Sequence, residues 1–254
     1  MGTALITGGG RGIGLSAATA LAEAGFDIAL VSLEPEAEIA NALRDLRGHG
    51  RQVLYFMQDI ANLEMHSALI EAIHARIGAI DCLVNNAGVT SLSRGDMLEL
   101  GPESFDRCVD INLRGTFFLT QAVARAMLGG PAPAATYRSI ITITSANADI
   151  IGMSRADYCI TKAALSMASK LFAARLASAG IHVFEVRPGI IRTEMTAPAA
   201  EKYDHLLADD GVPLRRWGEP QDVGTTVATI ARGLLPFATG EILNVGGGLH
   251  LHRI

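Results

Sequence analysis

Short runs of β-branched and aliphatic residues alternate along this chain with longer stretches whose apolar positions recur at helical spacing. The runs at 3–6, 28–32, 53–56, 82–84, 139–144, 182–186 and 242–245 predict seven strands. Brief, near-continuous apolar runs of this kind suit strands buried on both faces. Amphipathic patterns near 13–24, 36–48, 63–77, 103–128, 155–179 and 220–233 predict the helices between them. Strand and helix in alternation imply right-handed crossovers and a parallel sheet covered on both sides. The expected fold class is therefore α/β, a doubly wound seven-stranded parallel sheet. No composition shift or Pro/Gly/Ser linker divides the chain, so residues 1–254 are expected to form one domain.

Two segments break the alternation. Residues 129–137, Gly-Gly-Pro-Ala-Pro-Ala-Ala-Thr-Tyr, predict a surface loop, since the prolines cannot continue a helix. Residues 190–217 follow Pro188-Gly189 and contain Pro198 and Pro213. So long an irregular stretch is usually a lid or binding loop. Pro220 suits the first turn of the helix that follows.

Composition narrows the function classes. Net charge is 21 − 26 = −5 with no basic block, which argues against nucleic acid as the main partner. No apolar run approaches the roughly 18 residues of a membrane span, and no leader pattern follows Met1, so a cytoplasmic protein is expected. Cys82, Cys108 and Cys159 are widely spaced and odd in number, as reduced thiols would be. His250 and His252 could share a strand face, but no third ligand accompanies them and no metal site is expected.

Glycines at 8, 9, 10, 12 and 14 join the first strand to the first helix. There the backbone N–H groups can approach a pyrophosphate at the positive end of the helix dipole. Gly14 would let helix and strand pack closely, as in Rossmann folds, although Gly-x-x-x-Gly-x-Gly is not their commonest glycine spacing. Further along, Tyr158 and Lys162 stand four residues apart, and Ser145 precedes the tyrosine by thirteen. Residues four apart share a helix face, so the phenol and the ammonium can point into one cleft. Ser154-x-x-Asp157 resembles a capping box that would start that helix. Bringing a phenol from about 10 to about 7 takes roughly 4 kcal/mol. The Lys162 ammonium is an expected source.

With these motifs in this order, the chain resembles the short-chain dehydrogenase/reductases over nearly its whole length, and most nearly their 3-oxoacyl-carrier-protein reductase-like branch. Thr7-Gly8-x-x-x-Gly12-x-Gly14 matches the family's cofactor turn, with Gly10, Arg11 and Ile13 inside it. Asn85-Asn86-Ala87-Gly88 matches its Asn-Asn-Ala-Gly, Asp59-Ile60 its adenine contact, and Pro188-Gly189, Ile191 and Thr193 the segment beside the nicotinamide. Asn112, Ser145, Tyr158 and Lys162 fall on its catalytic tetrad. The resemblance implies hydride transfer between NAD(P) and a secondary alcohol or ketone. Tyr158 would exchange the proton, Ser145 would hold the substrate oxygen, and Lys162 would also hold the nicotinamide ribose. Asn112 would fix a relay water at a local distortion of its helix.

The cofactor is NAD or NADP. The acid that reads the ribose 2′-hydroxyl usually closes the second strand. Ser32 stands there, and Leu33 follows where relatives that prefer NADP often carry Arg. Arg11 favours a 2′-phosphate, while Glu34, Glu36 and Glu38 oppose it, and the balance leans to NAD. Segments 90–96, 146–155 and 190–217 should contact substrate, with Asn147, Ile150, Ile151, Met153, Arg155, Met195 and Trp217 as candidates. A 3-oxoacyl thioester implies docking of an acidic acyl-carrier protein on a basic patch, for which Arg125, Lys170 and Arg175 are available. The chain's overall acidity weakens that reading, and a sugar or polyol substrate stands beside it.

The resemblance further implies a homotetramer, built by helices 103–128 and 155–179, with Phe117, Phe118, Leu165 and Phe172, and by the C-terminal strand. Gly246 replaces the usual Asp of Val-Asp-Gly-Gly at that strand's end. Two rival classes fit less well. A sugar-nucleotide epimerase of the extended type spaces its glycines differently and is longer. A non-enzymatic dinucleotide sensor typically lacks one of the catalytic groups, all of which are present.

Overall fold

The computed structural model describes residues 2–130, 137–209 and 211–251. Most of the loop expected at 129–137, and His252, lie outside them. The strands are β1 (Thr3–Thr7), β2 (Asp27–Ser32), β3 (Val53–Met57), β4 (Ile80–Asn85), β5 (Arg138–Ile143), β6 (Ile181–Pro188) and β7 (Ile242–Val245). They form one parallel sheet in the order β3-β2-β1-β4-β5-β6-β7. The order reverses between β1 and β4, which opens a crevice at their carboxyl ends.

The helices are α1 (Gly12–Glu23), α2 (Ala40–Arg47), α3 (Met65–Ile77), α4 (Pro102–Cys108), α5 (Thr116–Gly129), α6 (Ala156–Leu176), α7 (Ala200–Ala208) and α8 (Pro220–Ala231). One core packs α1, α2 and α8 on a sheet face through Leu21, Leu43 and Val227. The opposite core packs α3, α5 and α6 through Ile73, Val123 and Leu176. Both faces are thus covered, as the near-continuous apolar strands require. None of the described helices is long and apolar enough to cross a membrane.

Three expectations are corrected. The helix expected at 103–128 is divided into α4, a π-helical stretch Val109–Gly115 and α5, the stretch being the local distortion expected at Asn112. The segment 190–217 is less irregular than its prolines suggest. It contains α7 and a small core of Ile190, Tyr203, Leu207, Val212 and Trp217. The capping box expected at Ser154 and Asp157 does not form: α6 is capped at Arg155 with no side-chain bond, and Asp157 turns inward. A capping box does start α8, where Glu219 and Asp222 bond reciprocally and Pro220 occupies the first turn.

Candidate active site

The turn after β1 is shaped by two glycines. Gly8 adopts φ +63°, in the left-handed region that side chains disfavour. A Cβ on Gly14 would lie 2.1 Å from the Gly8 carbonyl oxygen, so any larger residue would force α1 off the strand. Thr7 and Asn86 lock the turn to β4. The Thr7 hydroxyl accepts from the Asn86 and Ala87 N–H groups at 3.0 Å. The Asn86 amide donates to the carbonyls of Thr7 (3.1 Å) and Gly8 (3.0 Å). Asn86 is therefore a clamp on the turn's backbone. This narrow, side-chain-free cradle at a helix start fits a dinucleotide pyrophosphate.

At the outer end of the cradle, Glu34 reaches back over the tip of β2. Its carboxylate accepts from the Ser32 hydroxyl and pairs with Arg11 at 3.2 Å. Partial burial opposes the charge, but the Ser32 bond, backbone N–H groups at Glu34 and Leu33 and the Arg11 guanidinium together outweigh it and hold this carboxyl below its usual range. Arg11 also pairs with Glu194 at 2.6 Å. The sequence places the ribose reader at Ser32; the structure adds Glu34, with its carboxylate on that same spot. Asp59 is exposed and its carboxylate accepts from the Ala61 N–H at 2.9 Å, while Ile60 is buried beside it. Across the cradle, Thr193 faces Gly12, and its N–H donates to the Thr196 hydroxyl.

Ser145, Tyr158 and Lys162 line a single cavity of about 440 Å³, together with Ile13, Gly88, Pro188, Gly189, Ile191 and Thr193. Tyr158 is buried, and the Lys162 ammonium lies 5.6 Å from its ring centroid. Lys162 donates to the Ile143 carbonyl at 3.1 Å. Burial pulls its pKa down to about 8. Burial also pushes the Tyr158 phenol up, and the Ser145 hydrogen bond and the Arg155 guanidinium pull the other way. This differs from the expectation for Lys162. The chain's own cationic counterweight on Tyr158 is Arg155, whose guanidinium carbon lies 5.5 Å from the ring centroid.

Asn112 lies in the π-helical stretch and is completely buried. Its amide donates to the Val89 carbonyl (2.9 Å) and the Thr161 hydroxyl (3.1 Å), and its oxygen accepts from the Val89 N–H (2.7 Å). Both side-chain donors are thus committed to pinning the loop after β4 against α6.

Two buried carboxylates, Asp157, read from sequence only as a helix-start acid, and Glu185, which the sequence did not single out, lie behind these residues. Asp157 accepts from Ser104 at 2.6 Å, from Ser91, from Cys108 at 3.6 Å and from the Tyr158 N–H at 2.7 Å. Its burial disfavours charge, yet these donors hold its carboxyl below the usual range. Glu185 on β6 accepts from Thr144 (2.6 Å), Ser166 (2.7 Å) and Arg187 (2.6 Å). Thr144 adjoins Ser145, so this network sits directly under the tetrad.

Of the substrate candidates, Asn147, Ile150, Ile151, Met153, Arg155 and Met195 line the cavity. Trp217 does not. It packs edge-on against Tyr203 and donates to Asp204 at 2.7 Å, bracing α7. Arg94, Lys202 and Tyr203 also reach the cavity and were not singled out.

A crevice at the strand reversal, a bare phosphate cradle and a Ser-Tyr-Lys cluster facing it define a nicotinamide-dependent oxidoreductase. Comparison with known proteins agrees. A family model described as enoyl-(acyl carrier protein) reductase matches residues 8–250. The 3-oxoacyl-[acyl-carrier-protein] reductase of Escherichia coli is 35% identical over 251 residues, covering 98% of this chain and 97% of that protein. A 3-oxoacyl-[acyl-carrier protein] reductase from Brucella melitensis, solved with NAD, is 48% identical with a TM-score of 0.95, over 99% of this chain and 98% of that one. A gluconate 5-dehydrogenase from Burkholderia cenocepacia, solved with NADP and tartrate, is 34% identical with a TM-score of 0.87, over 97% and 94%. The chain belongs to the short-chain dehydrogenase/reductase family, in its 3-oxoacyl-carrier-protein reductase-like branch. It is an NAD(P)-dependent oxidoreductase acting on CH–OH and C=O groups.

Proposed function

We propose that the cavity interconverts a secondary alcohol and a ketone with Asn112, Ser145, Tyr158 and Lys162 as its working residues. The convergence of Ser145, Tyr158 and Lys162 on one cavity beside the glycine cradle carries this reading. The bound nicotinamide supplies or accepts the hydride at the carbon. In reduction Tyr158 gives its proton to the carbonyl oxygen as the C=O π bond opens, and in oxidation it takes the proton back. Ser145 holds the same oxygen. Lys162 holds the ribose hydroxyls and, when charged, favours the phenolate. Asn112 fixes the helix and the loop after β4, with both its side-chain donors in use. A panel of secondary alcohols and ketones, run with both cofactors, tests the proposal. Turnover of some members is expected, and cofactor binding without turnover of any would leave only a dinucleotide-sensing role.

The cofactor seat is formed by Gly8, Gly10, Arg11, Gly12, Ile13, Gly14, Ser32, Asp59, Ile60, Asn86, Ala87, Gly88, Pro188, Gly189, Ile191 and Thr193. NAD is the preferred dinucleotide, because Glu34 occupies the ribose end and already engages Arg11, a cation there suited to a 2′-phosphate. Glu34→Ser should raise the NADPH-to-NADH ratio of kcat/KM by about 10- to 100-fold. An unchanged ratio would exclude Glu34 as the reader.

The names of the relatives support a 3-oxoacyl thioester as substrate, with acyl-carrier protein as partner, and Arg125, Lys170 and Arg175 are exposed as that docking requires. A second reading, a sugar-acid or polyol dehydrogenase, is favoured by the tartrate in one relative and by the cations around the cavity. Ile160, Met167 and Leu171 on α6, with Phe118 on α5, form an exposed apolar face that supports assembly into a homotetramer. Leu165 is buried within the subunit and takes no part in that face. Three free cysteines suit a cytoplasmic setting.

A further inference from the structure

We propose that Arg155 is an anion-binding residue, and that the substrate is a small keto or hydroxy acid whose carboxylate lies a few bonds from the reacting carbon. The inference rests on the reading of the cavity as an alcohol–ketone oxidoreductase site and names the class of molecule it takes. The chain as a whole is acidic, at −5. Its cavity is not. Arg94, Arg155 and Lys202 stand around the substrate side, with Lys162 deeper in, and no Asp or Glu is among the described lining residues. A cleft lined by one sign of charge concentrates ligands of the other sign.

Arg155 is the cation built into this arrangement. It is half-buried at the start of α6, and one guanidinium nitrogen donates to the Tyr203 hydroxyl at 3.2 Å. Tyr203 is buried and held edge-on by Trp217, with ring centroids 5.7 Å apart, so the guanidinium rests on a rigid support. Arg187 and Arg51 are neutralised by Glu185 (2.6 Å) and Asp27 (2.9 Å), whereas Arg155 has no carboxylate partner among the described residues. A guanidinium offers five N–H donors in a planar fork that matches a carboxylate, and the single bond to Tyr203 leaves most of them available.

The position of this charge selects among anions. Its guanidinium carbon is 5.5 Å from the Tyr158 ring centroid, so an anion held there is a near neighbour of the reacting oxygen. A carboxylate attached close to the carbonyl meets that requirement. The phosphate of a carrier protein's pantetheine arm does not, because it sits at the far end of a long chain from the thioester.

The test compares reduction of 3-oxobutanoate, its methyl ester and its N-acetylcysteamine thioester, with NADH and NADPH, by the wild-type protein, Arg155→Met and Arg155→Lys. Because Arg155 also bears on the phenol, the quantity read is the acid-to-ester ratio of kcat/KM, in which a common loss of rate cancels. The wild type should prefer the acid by at least about tenfold, consistent with one charged hydrogen-bonding contact. The ratio should fall towards one in Arg155→Met and partway in Arg155→Lys. Ester or thioester reduced as well as the acid, or a ratio indifferent to Arg155→Met, would overturn the proposal. Calorimetric titration of the NAD-loaded protein with malonate separates the two layers. Malonate binding that weakens about 10- to 100-fold in Arg155→Met, without turnover of any of the three compounds or of any member of the alcohol and ketone panel, would sink the reaction class and leave the anion subsite standing. No turnover and no Arg155-dependent binding would sink both.

Discussion

Tyr158→Phe is expected to lower kcat by about 10³-fold, within the range for loss of a positioned acid–base group. Its affinity for dinucleotide should stay within a few-fold of wild type. The ring is buried, with Arg155 and Lys162 stacked near it at 5.5 and 5.6 Å from its centroid, and phenylalanine keeps that packing intact. What is lost is the hydroxyl proposed to donate and recover a proton at the substrate oxygen. Ser145 is a poor substitute, since an alcohol is a far weaker acid than a phenol, and its oxygen already accepts from the Asn147 N–H at 3.1 Å. Steady-state rates on any compound turned over by the wild type, together with NADH fluorescence titration, read the two quantities separately. Near-normal turnover by the phenylalanine variant would remove Tyr158 from the chemistry.

The largest effect on stability is expected from Glu185→Leu. Glu185 is 2% exposed and accepts from Thr144, Ser166 and Arg187, so leucine would leave two hydroxyls and a mostly buried guanidinium without their acceptor. Among the described residues, Arg187 would keep the Ser166 hydroxyl as a neutral acceptor at 2.9 Å and Asp149 as a carboxylate at 3.9 Å, the latter largely in solvent. Removing one partner of a buried ion pair typically costs about 3–5 kcal/mol. At roughly 2–4 °C per kcal/mol for a chain of this size, the melting temperature should drop by roughly 6–20 °C. A double change, Glu185→Leu with Arg187→Leu, should recover much of the loss, because the stranded charge goes with it. Thermal unfolding of both variants checks this, and a single variant as stable as wild type would show that the pair is not a structural element.

The sheet and the convergence of Ser145, Tyr158 and Lys162 on one cavity were legible because their signals are local. Seven apolar runs and the spacing of Tyr158, Lys162 and Ser145 can be read without knowing what touches what. Residues whose roles depend on distant partners were not legible. Asp157 reads as a helix-start acid, yet its donors Ser91 and Ser104 come from 66 and 53 positions away. Glu34 looks like surface charge until its side chain folds back onto Ser32 and Arg11. Arg155 gains meaning only beside Tyr203, which α7 brings from 48 positions downstream. Glu185 and Arg187 did leave a trace. Opposite charges two apart in a mostly apolar strand share a face and call for each other's company.

The widened turn at Val109–Gly115 has a consequence for the rotational phase of the chain. Each residue of a regular α-helix advances the side chains by roughly 100°. α4 must aim Cys108 at Asp157, and α5 must aim Leu119 and Val123 at the sheet. The π-helical turn, with more residues than an α turn, resets the angle between those two faces and aims Asn112 at Val89 and Thr161. Shortening it by one residue would give a smoother helix with one end facing the wrong way. The irregularity is the gear that lets two straight segments, each correct by its own periodicity, meet in register around the catalytic cleft.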